Sequence, residues 1–341
     1  MCKRRAEARW IRVACGAGVA LLLLTGAIVR VQQAKAQALE KVTLRLDWAW
    51  WPGQSQFVVA KEKGFYREVG LDVEINQGQG SGNTVIVVGE GKDPLGFADM
   101  GAAAQAISKG VPIRAVATIQ QKAGTSLIFL KGKEINRPKD VEGKRLGSTP
   151  TGSDALRLPA FFAVNGIDKD KVTVVGMPGD AKLAALLAGQ VDVFSGDNFF
   201  YLPLIKARGK EAQALLYADH GVNLLGTGYI ANRRFLEEKP EVVRRFVAAS
   251  LKGLSYTLGN MDEALDVFLR VTQGTESKEV FKDVLNVWKT SFHTANSMGK
   301  PVGWQSEKDW EQTLTILEKF GGMTGRKPAS EYFTNDYLPK S

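Results

Sequence analysis

Trp48, Trp50 and Trp51 place three of the chain's seven tryptophans within four residues, beside Asp47 and ahead of Pro52-Gly53. An indole in a loop offers a broad rigid face to a planar ligand, and a neighbouring carboxylate accepts hydrogen bonds from substituents on its ring. Asp197-Asn198 makes a second polar pair with aromatic neighbours, Phe200 and Tyr201. Between them lies Gly78-x-Gly80-x-Gly82, which departs from a dinucleotide fingerprint because Asn83 stands where the third glycine belongs. Ser81, Gly82 and Asn83 still form a small, polar, N–H-rich turn suited to a carboxylate, a sulfonate or a ring nitrogen, or simply a tight turn with no ligand. Thr151 and Ser153 repeat the theme within Ser148 to Asp154, where either hydroxyl also serves as a helix cap.

Catalytic constellations are missing from the sequence beyond residue 38. His220 and His293 are its only histidines, so neither a histidine-rich metal site nor H-E-x-x-H occurs, and no G-x-S-x-G elbow presents a nucleophile. Cys2 and Cys15 both lie near the start, which leaves the rest without a disulfide, a thiolate ligand or a cysteine nucleophile. No cofactor is expected.

Alternating strands and helices must position these residues. Val42, Leu44 and Leu46 alternate with polar residues as a strand that empties into the tryptophan loop; a helix follows from about Gln54 to Lys63, and Leu71, Val73 and Ile75 form a second strand. Phe97-Ala98-Asp99, an alanine-rich helix to Ser108 and a strand from Ile113 to Ile119 complete a first α/β unit. A second unit of about 95 residues repeats the order: Leu127 to Leu130, Lys144 to Gly147, a helix from Ser153 to Val164, Val172 to Val175, a helix to Leu187 capped by Asp180, and Val191 to Phe194. Tyr229 lies in a further strand. Val243, Phe246, Val247, Leu251, Leu254 and Leu258 then recur at helical spacing after Pro240, and two more helices, about 277–290 and 306–320, close a helical C-terminal third.

Residues 1–38 read as an export signal. Five Lys/Arg precede an uncharged apolar run of 17 residues from Val13 to Val29, and Ala36-Gln37-Ala38 is a small-x-small cleavage site. A retained membrane anchor is the rival reading, and lipidation at Cys15 is disfavoured by Arg12 just before it. Without this segment the net charge of +9 falls to about +3, which gives no footprint for nucleic acid.

In order and spacing, several segments resemble the substrate-binding proteins of ABC importers, in the group of thiamine-pyrimidine-precursor, sulfonate, nitrate and taurine binders. They are Val42 to Trp48 ending in L-D-W, Val59-Ala60-Lys61-Glu62-Lys63-Gly64-Phe65-Tyr66, Gly96 to Gly101, Gly110 to Ile113, Asp140 to Lys144, Gly166-Ile167-Asp168 and Leu187 to Asp192. The resemblance implies a type II periplasmic-binding fold: lobe 1 from residues 39–121 and 219–341, an inserted lobe 2 over 122–218, and a cleft between them. It further implies a monomer outside the cytoplasmic membrane that catalyses nothing and hands a small molecule to a permease and its ATPase. Strand ends at such a cleft put Asp47, Trp48, Trp51, Ser81, Gly82, Asn83, Thr151, Ser153, Asp197, Asn198 and Tyr229 around the ligand. The tryptophans and acids favour a planar heteroaromatic such as a pyrimidine precursor; an aromatic carboxylate or sulfonate is the alternative. A sensor or adaptor role, or a pyrimidine-precursor synthase, is a more distant reading, since the synthases use cysteines and a histidine absent here.

Overall fold

The computed structural model describes residues 38–340, so the expected leader falls almost wholly outside the described residues. β1 (Glu40–Arg45), β2 (Leu71–Asn76), β3 (Leu95–Asp99), β4 (Ile113–Thr118) and β10 (Thr227–Asn232) make one sheet, in the order β2-β1-β3-β10-β4. β5 (Thr125–Leu130), β6 (Arg145–Ser148), β7 (Thr173–Gly176), β8 (Val193–Asp197) and β9 (Ala212–Leu216) make the other, in the order β7-β6-β8-β5-β9. Both sheets are parallel at one side and carry an antiparallel intruder: β10 runs against β3 and β4, and β5 runs against β8 and β9. The chain therefore crosses between sheets twice, at Ile119 to Gly124 and at Tyr217 to Gly226. Two α/β lobes with helices after them give the type II periplasmic-binding architecture expected from the sequence.

Helices cover the sheets: α1 (Ser55–Glu62), α2 (Phe65–Glu68), α3 (Ser81–Gly89) and α4 (Met100–Ser108) in the first lobe; α5 (Ser153–Val164), α6 (Gly179–Leu187) and α7 (Asn198–Ala207) in the second; then α8 (Arg233–Glu238), α9 (Pro240–Gly259), α10 (Met261–Thr272), α11 (Lys278–Trp288) and α12 (Glu307–Phe320). The amphipathic face of α9 buries Val243, Phe246, Val247 and Leu254 against α1. Phe246 lies flat on Tyr66, centroids 5.8 Å apart and planes 1° apart, and its full burial contributes about 2–3 kcal/mol. The C-terminal helices touch both lobes and not only the first, to which the sequence assigns them: α11 packs on α7 and α12 on α5. Asp180 lies inside the first turn of α6 and does not cap it; Pro178 holds the cap position.

Candidate functional site

Because β1 is parallel to its neighbours, its C-terminal end delivers Asp47 and Trp48 to the gap between the lobes. β8 does the same for Asp197 from the other side. The helices that follow start at the gap as well. α3 begins at Ser81 behind Gly80, and α5 begins at Ser153 behind Gly152, neither with a side-chain cap. At α5 the first-turn N–H groups therefore stay available to a ligand or to water, whereas at α3 Gly82 and Asn83 already donate to the Thr151 and Gly80 carbonyls.

The lobes meet directly across this gap. Gly82 N–H donates to the Thr151 carbonyl at 3.2 Å, and Thr151 Oγ1–H donates to the Gln79 carbonyl at 2.7 Å. Gly80 has φ +114°, and a Cβ there would stand 2.3 Å from the Thr151 carbonyl oxygen, so only glycine permits both the turn and the contact. A second contact seats the Trp48 indole on Gly179, where a Cβ would come within 1.9 Å of Cζ2.

Beside these contacts, between the lobes, lies a cavity of about 90 Å³. Its apolar wall is Trp48, Trp51, Phe199, Phe200 and Tyr201. Trp51 is held by Phe199 (5.7 Å between centroids) and edge-on by Trp288 (5.2 Å), which makes it the anchored side of the wall. Tyr201 donates to the Gly179 carbonyl at 3.0 Å.

The polar groups are Asp47, Asp197, Asp154 and Lys182, with Ser81, Ser153 and Thr227. Asp47 accepts from Gln54 Nε2 at 2.8 Å and from Trp51 Nε1 at 3.4 Å. Burial nevertheless pushes its carboxyl up to about 7, with Asp197 adding repulsion from across the cavity. Burial likewise raises Asp197 to about 6, against the pull of Arg157 and with Asp99 and Asp154 adding to the rise. Lys182 is buried yet charged: desolvation pulls it down, but Tyr201, Asp154 and Asp197 hold it above its ordinary value. Its Nζ donates to Asp154 Oδ2 at 3.1 Å and to the Ser195 carbonyl at 2.8 Å, which accounts for two of its three protons. The cavity thus combines aromatic faces, two acids poised near neutrality and one ammonium proton without a protein acceptor.

Of the residues expected from the sequence, Asp47, Trp48, Trp51, Ser81, Ser153 and Asp197 line this cavity. Thr151 lines the adjoining outer space by Trp48, Gln79 and Gly179. Gly82 lies against Thr151, Asn83 is exposed on α3, and half-buried Asn198 uses its N–H on the Gly124 carbonyl. Tyr229 is fully buried in the first lobe, where its hydroxyl meets Gln56. The cause is the antiparallel course of β10: its N-terminal end, Thr227, reaches the cavity, while Tyr229 pairs inside the sheet with Phe97 and Ala117. Asp154, Lys182, Phe199 and Thr227 were not singled out. Lys182 carried the clearest signal, a lone lysine on the Ala185-Leu186 face of an apolar helix.

Among the described residues, no group of three or more His, Cys, Asp or Glu could hold a metal ion, and no helix is long and apolar enough to cross a membrane. The chain is 27% identical over 290 residues to the formylaminopyrimidine-binding protein of Halalkalibacterium halodurans, covering 83% of this chain and 86% of that one. It is 24% identical over 310 residues to the riboflavin-binding protein RibY of Chloroflexus aurantiacus, covering 88% and 87%. Matches also include 4-amino-5-hydroxymethyl-2-methylpyrimidine phosphate synthases. In structure it is similar to the alkanesulfonate-binding protein SsuA of Xanthomonas axonopodis pv. citri bound to MOPS, with TM-score 0.65 at 15% identity over 88% of this chain and 98% of that one. The family described as NMT1/THI5 like matches residues 51–264, well over half of the sequence, and the chain belongs to that family.

Proposed function

We propose that this protein is the extracytoplasmic receptor of an ABC importer, capturing one small planar heteroaromatic molecule between its lobes and delivering it to a membrane permease coupled to an ATPase. On this reading the lobes divide near residues 121/122 and 218/219, within the two crossovers. The observation that carries the reading is the cavity: a tryptophan, phenylalanine and tyrosine wall with Asp47 and Asp197 facing each other across it. Aromatic burial supplies affinity at about 25 cal/mol per Å², and the acids accept from ring amino groups. The family relatives whose names record a pyrimidine and a flavin ligand support a ring compound.

A second reading, an aromatic carboxylate or sulfonate, is favoured by Lys182 and the uncapped start of α5. Ligand charge separates the two by pH. A ring that donates to Asp47 and Asp197 binds more tightly as pH rises through about 6 and 7, because it needs both acids ionised. An anion binds more tightly as pH falls through the same window, where the acids become neutral donors.

The test is a thermal-shift screen at pH 5.5 and 8 against 4-amino-5-hydroxymethyl-2-methylpyrimidine, riboflavin, benzoate, alkyl sulfonates and nitrate. Selective stabilisation by the pyrimidine or riboflavin, stronger at pH 8 than at pH 5.5, supports the proposal, and stabilisation by benzoate, stronger at pH 5.5, replaces it with the second reading. A response confined to sulfonate or nitrate sinks it, and formation of a pyrimidine by the protein supplied with iron and a pyridoxal cofactor replaces it with a synthase.

A further inference from the structure

The most heavily bonded buried charge outside the cavity wall is Arg157 on α5, which is 3% exposed and was not foreseen from the sequence. Its guanidinium reaches three parts of the molecule at once. Nη2 pairs with Asp99, at the end of β3 in the first lobe, and donates to the Leu225 carbonyl in the second crossover at 2.8 Å. Nη1 donates to Thr125 Oγ1, where the first crossover becomes β5. Thr125 Oγ1 in turn donates to Asp197 Oδ1 in the cavity at 3.3 Å. Asp99 is fixed too: it accepts from Ala102 N–H at 3.0 Å and its own N–H donates to Ser81 Oγ, a cavity residue, at 3.1 Å.

We infer that Arg157 is a positioning residue that couples the Asp197 end of the cavity to the seating of the two lobes at their crossovers. Crossovers are where lobe rotation must be absorbed, and a planar fork with several fixed partners specifies one geometry there. A lone buried arginine would be costly, so the arrangement holds only while Asp99 from the other lobe completes it. The same guanidinium keeps Asp197 from rising further, while Asp99, Asp154 and the facing Asp47 repel it and Lys182 attracts it. Seating of the lobes and the charge of one ligand-facing acid are thereby set by one side chain. This inference goes beyond the proposed function, because it does not depend on which ligand the cavity takes.

Two ligand-free readouts test it on the whole protein: X-ray solution scattering for lobe seating, and infrared titration of the Asp197 carboxyl, assigned by difference from Asp197→Asn. Arg157→Met and Asp99→Asn both break the pair between the lobes, so both are expected to increase the radius of gyration and to hydrate Asp197 alike, which relieves the burial that raises it. Between the two the charges decide: Arg157→Met keeps the repelling Asp99 and loses the attracting guanidinium, so its Asp197 titrates about one pH unit above that of Asp99→Asn, the size of effect that an adjacent charge exerts. A packing role alone gives the two variants one titration, so equal values or the reverse order overturn the inference, as does Arg157→Met with both readouts unchanged. Should Arg157→Met fail to fold by circular dichroism, Arg157→Lys decides: it keeps the charge and loses the fork, so the radius grows. An unexpanded Arg157→Lys protein overturns the inference.

Discussion

Gly179→Ala separates closure from folding. Gly179 starts α6 with an ordinary helical backbone, so alanine adds helix propensity of up to about 1 kcal/mol in any state where the site is free. In the seated arrangement the new Cβ falls 1.9 Å from Trp48 Cζ2, 2.6 Å from Cη2 and 2.9 Å from Cε2. All three atoms belong to one rigid indole, so the ring must leave its position and not merely flex. Overpacking of this kind costs about 1–3 kcal/mol, which at 1.4 kcal/mol per decade is a loss of about 5- to 150-fold in affinity for any ligand that needs closed lobes. Calorimetric titration with the tightest ligand from the screen measures that loss, and a thermal melt without ligand measures stability. The expected pair of results is weakened binding with an unchanged or slightly higher melting temperature. Adding Trp48→Leu removes the clash and part of the wall, so the double variant is less impaired than the two single losses added together. Wild-type affinity in Gly179→Ala refutes the assignment of Trp48 and Gly179 as facing surfaces of the closing cleft.

Trp51 and Trp48 should fail differently. Trp51→Ala removes a ring packed against Phe97, Phe199 and Trp288 and is expected to cost about 3–5 kcal/mol in denaturant unfolding. Trp48→Ala, at a partly exposed ring, should leave stability within about 1 kcal/mol and abolish most ligand-induced stabilisation. Asp197 has a folded-state value near 6, above its unfolded one, so its contribution to stability is full below about pH 4 and is lost as pH rises through 6. Asp197→Asn should therefore melt about 2–4 °C higher than wild type at pH 8 and no higher at pH 4. Asp192 is the opposite case: Arg145 holds it down at about 2, so its contribution is present above about pH 4 and vanishes only near pH 2. Because that pair is largely exposed, Arg145→Ala should cost no more than about 1 kcal/mol at pH 7 in urea unfolding.

Strand and helix order was legible wherever periodicity was strong. α5 and α9 emerged from their apolar spacing, and β1 and β2 from alternation. Elements without such spacing were hidden. α7 is an unbroken apolar run from Phe199 to Ile205, so no periodicity marks it as a helix, although Phe199, Tyr201, Leu204 and Ile205 are the residues it buries. α3 looks like a glycine turn in the sequence because Gly80 to Asn83 dominates its start. At the site, the ends of parallel strands could be placed from sequence, and Asp47, Trp48 and Asp197 do line the cavity. Tyr229 could not, because the antiparallel sense of β10 reverses which end meets the cleft. Lys182 shows in the sequence only as a lone lysine on an apolar helix face, and Arg157 leaves less, since the role of a buried cation is defined by partners elsewhere in the chain: Asp154 and Ser195 for one, Asp99 and Leu225 for the other.

The most direct test of the account is a crystal structure with the tightest ligand from the screen. One ring compound is expected in the cavity between the lobes, its face against Trp48 and its amino groups on Asp47 and Asp197. A ligand bound elsewhere, such as the apolar groove lined by Leu158, Phe162 and Val174, or a cavity occupied only by an inorganic anion on Lys182, would contradict it.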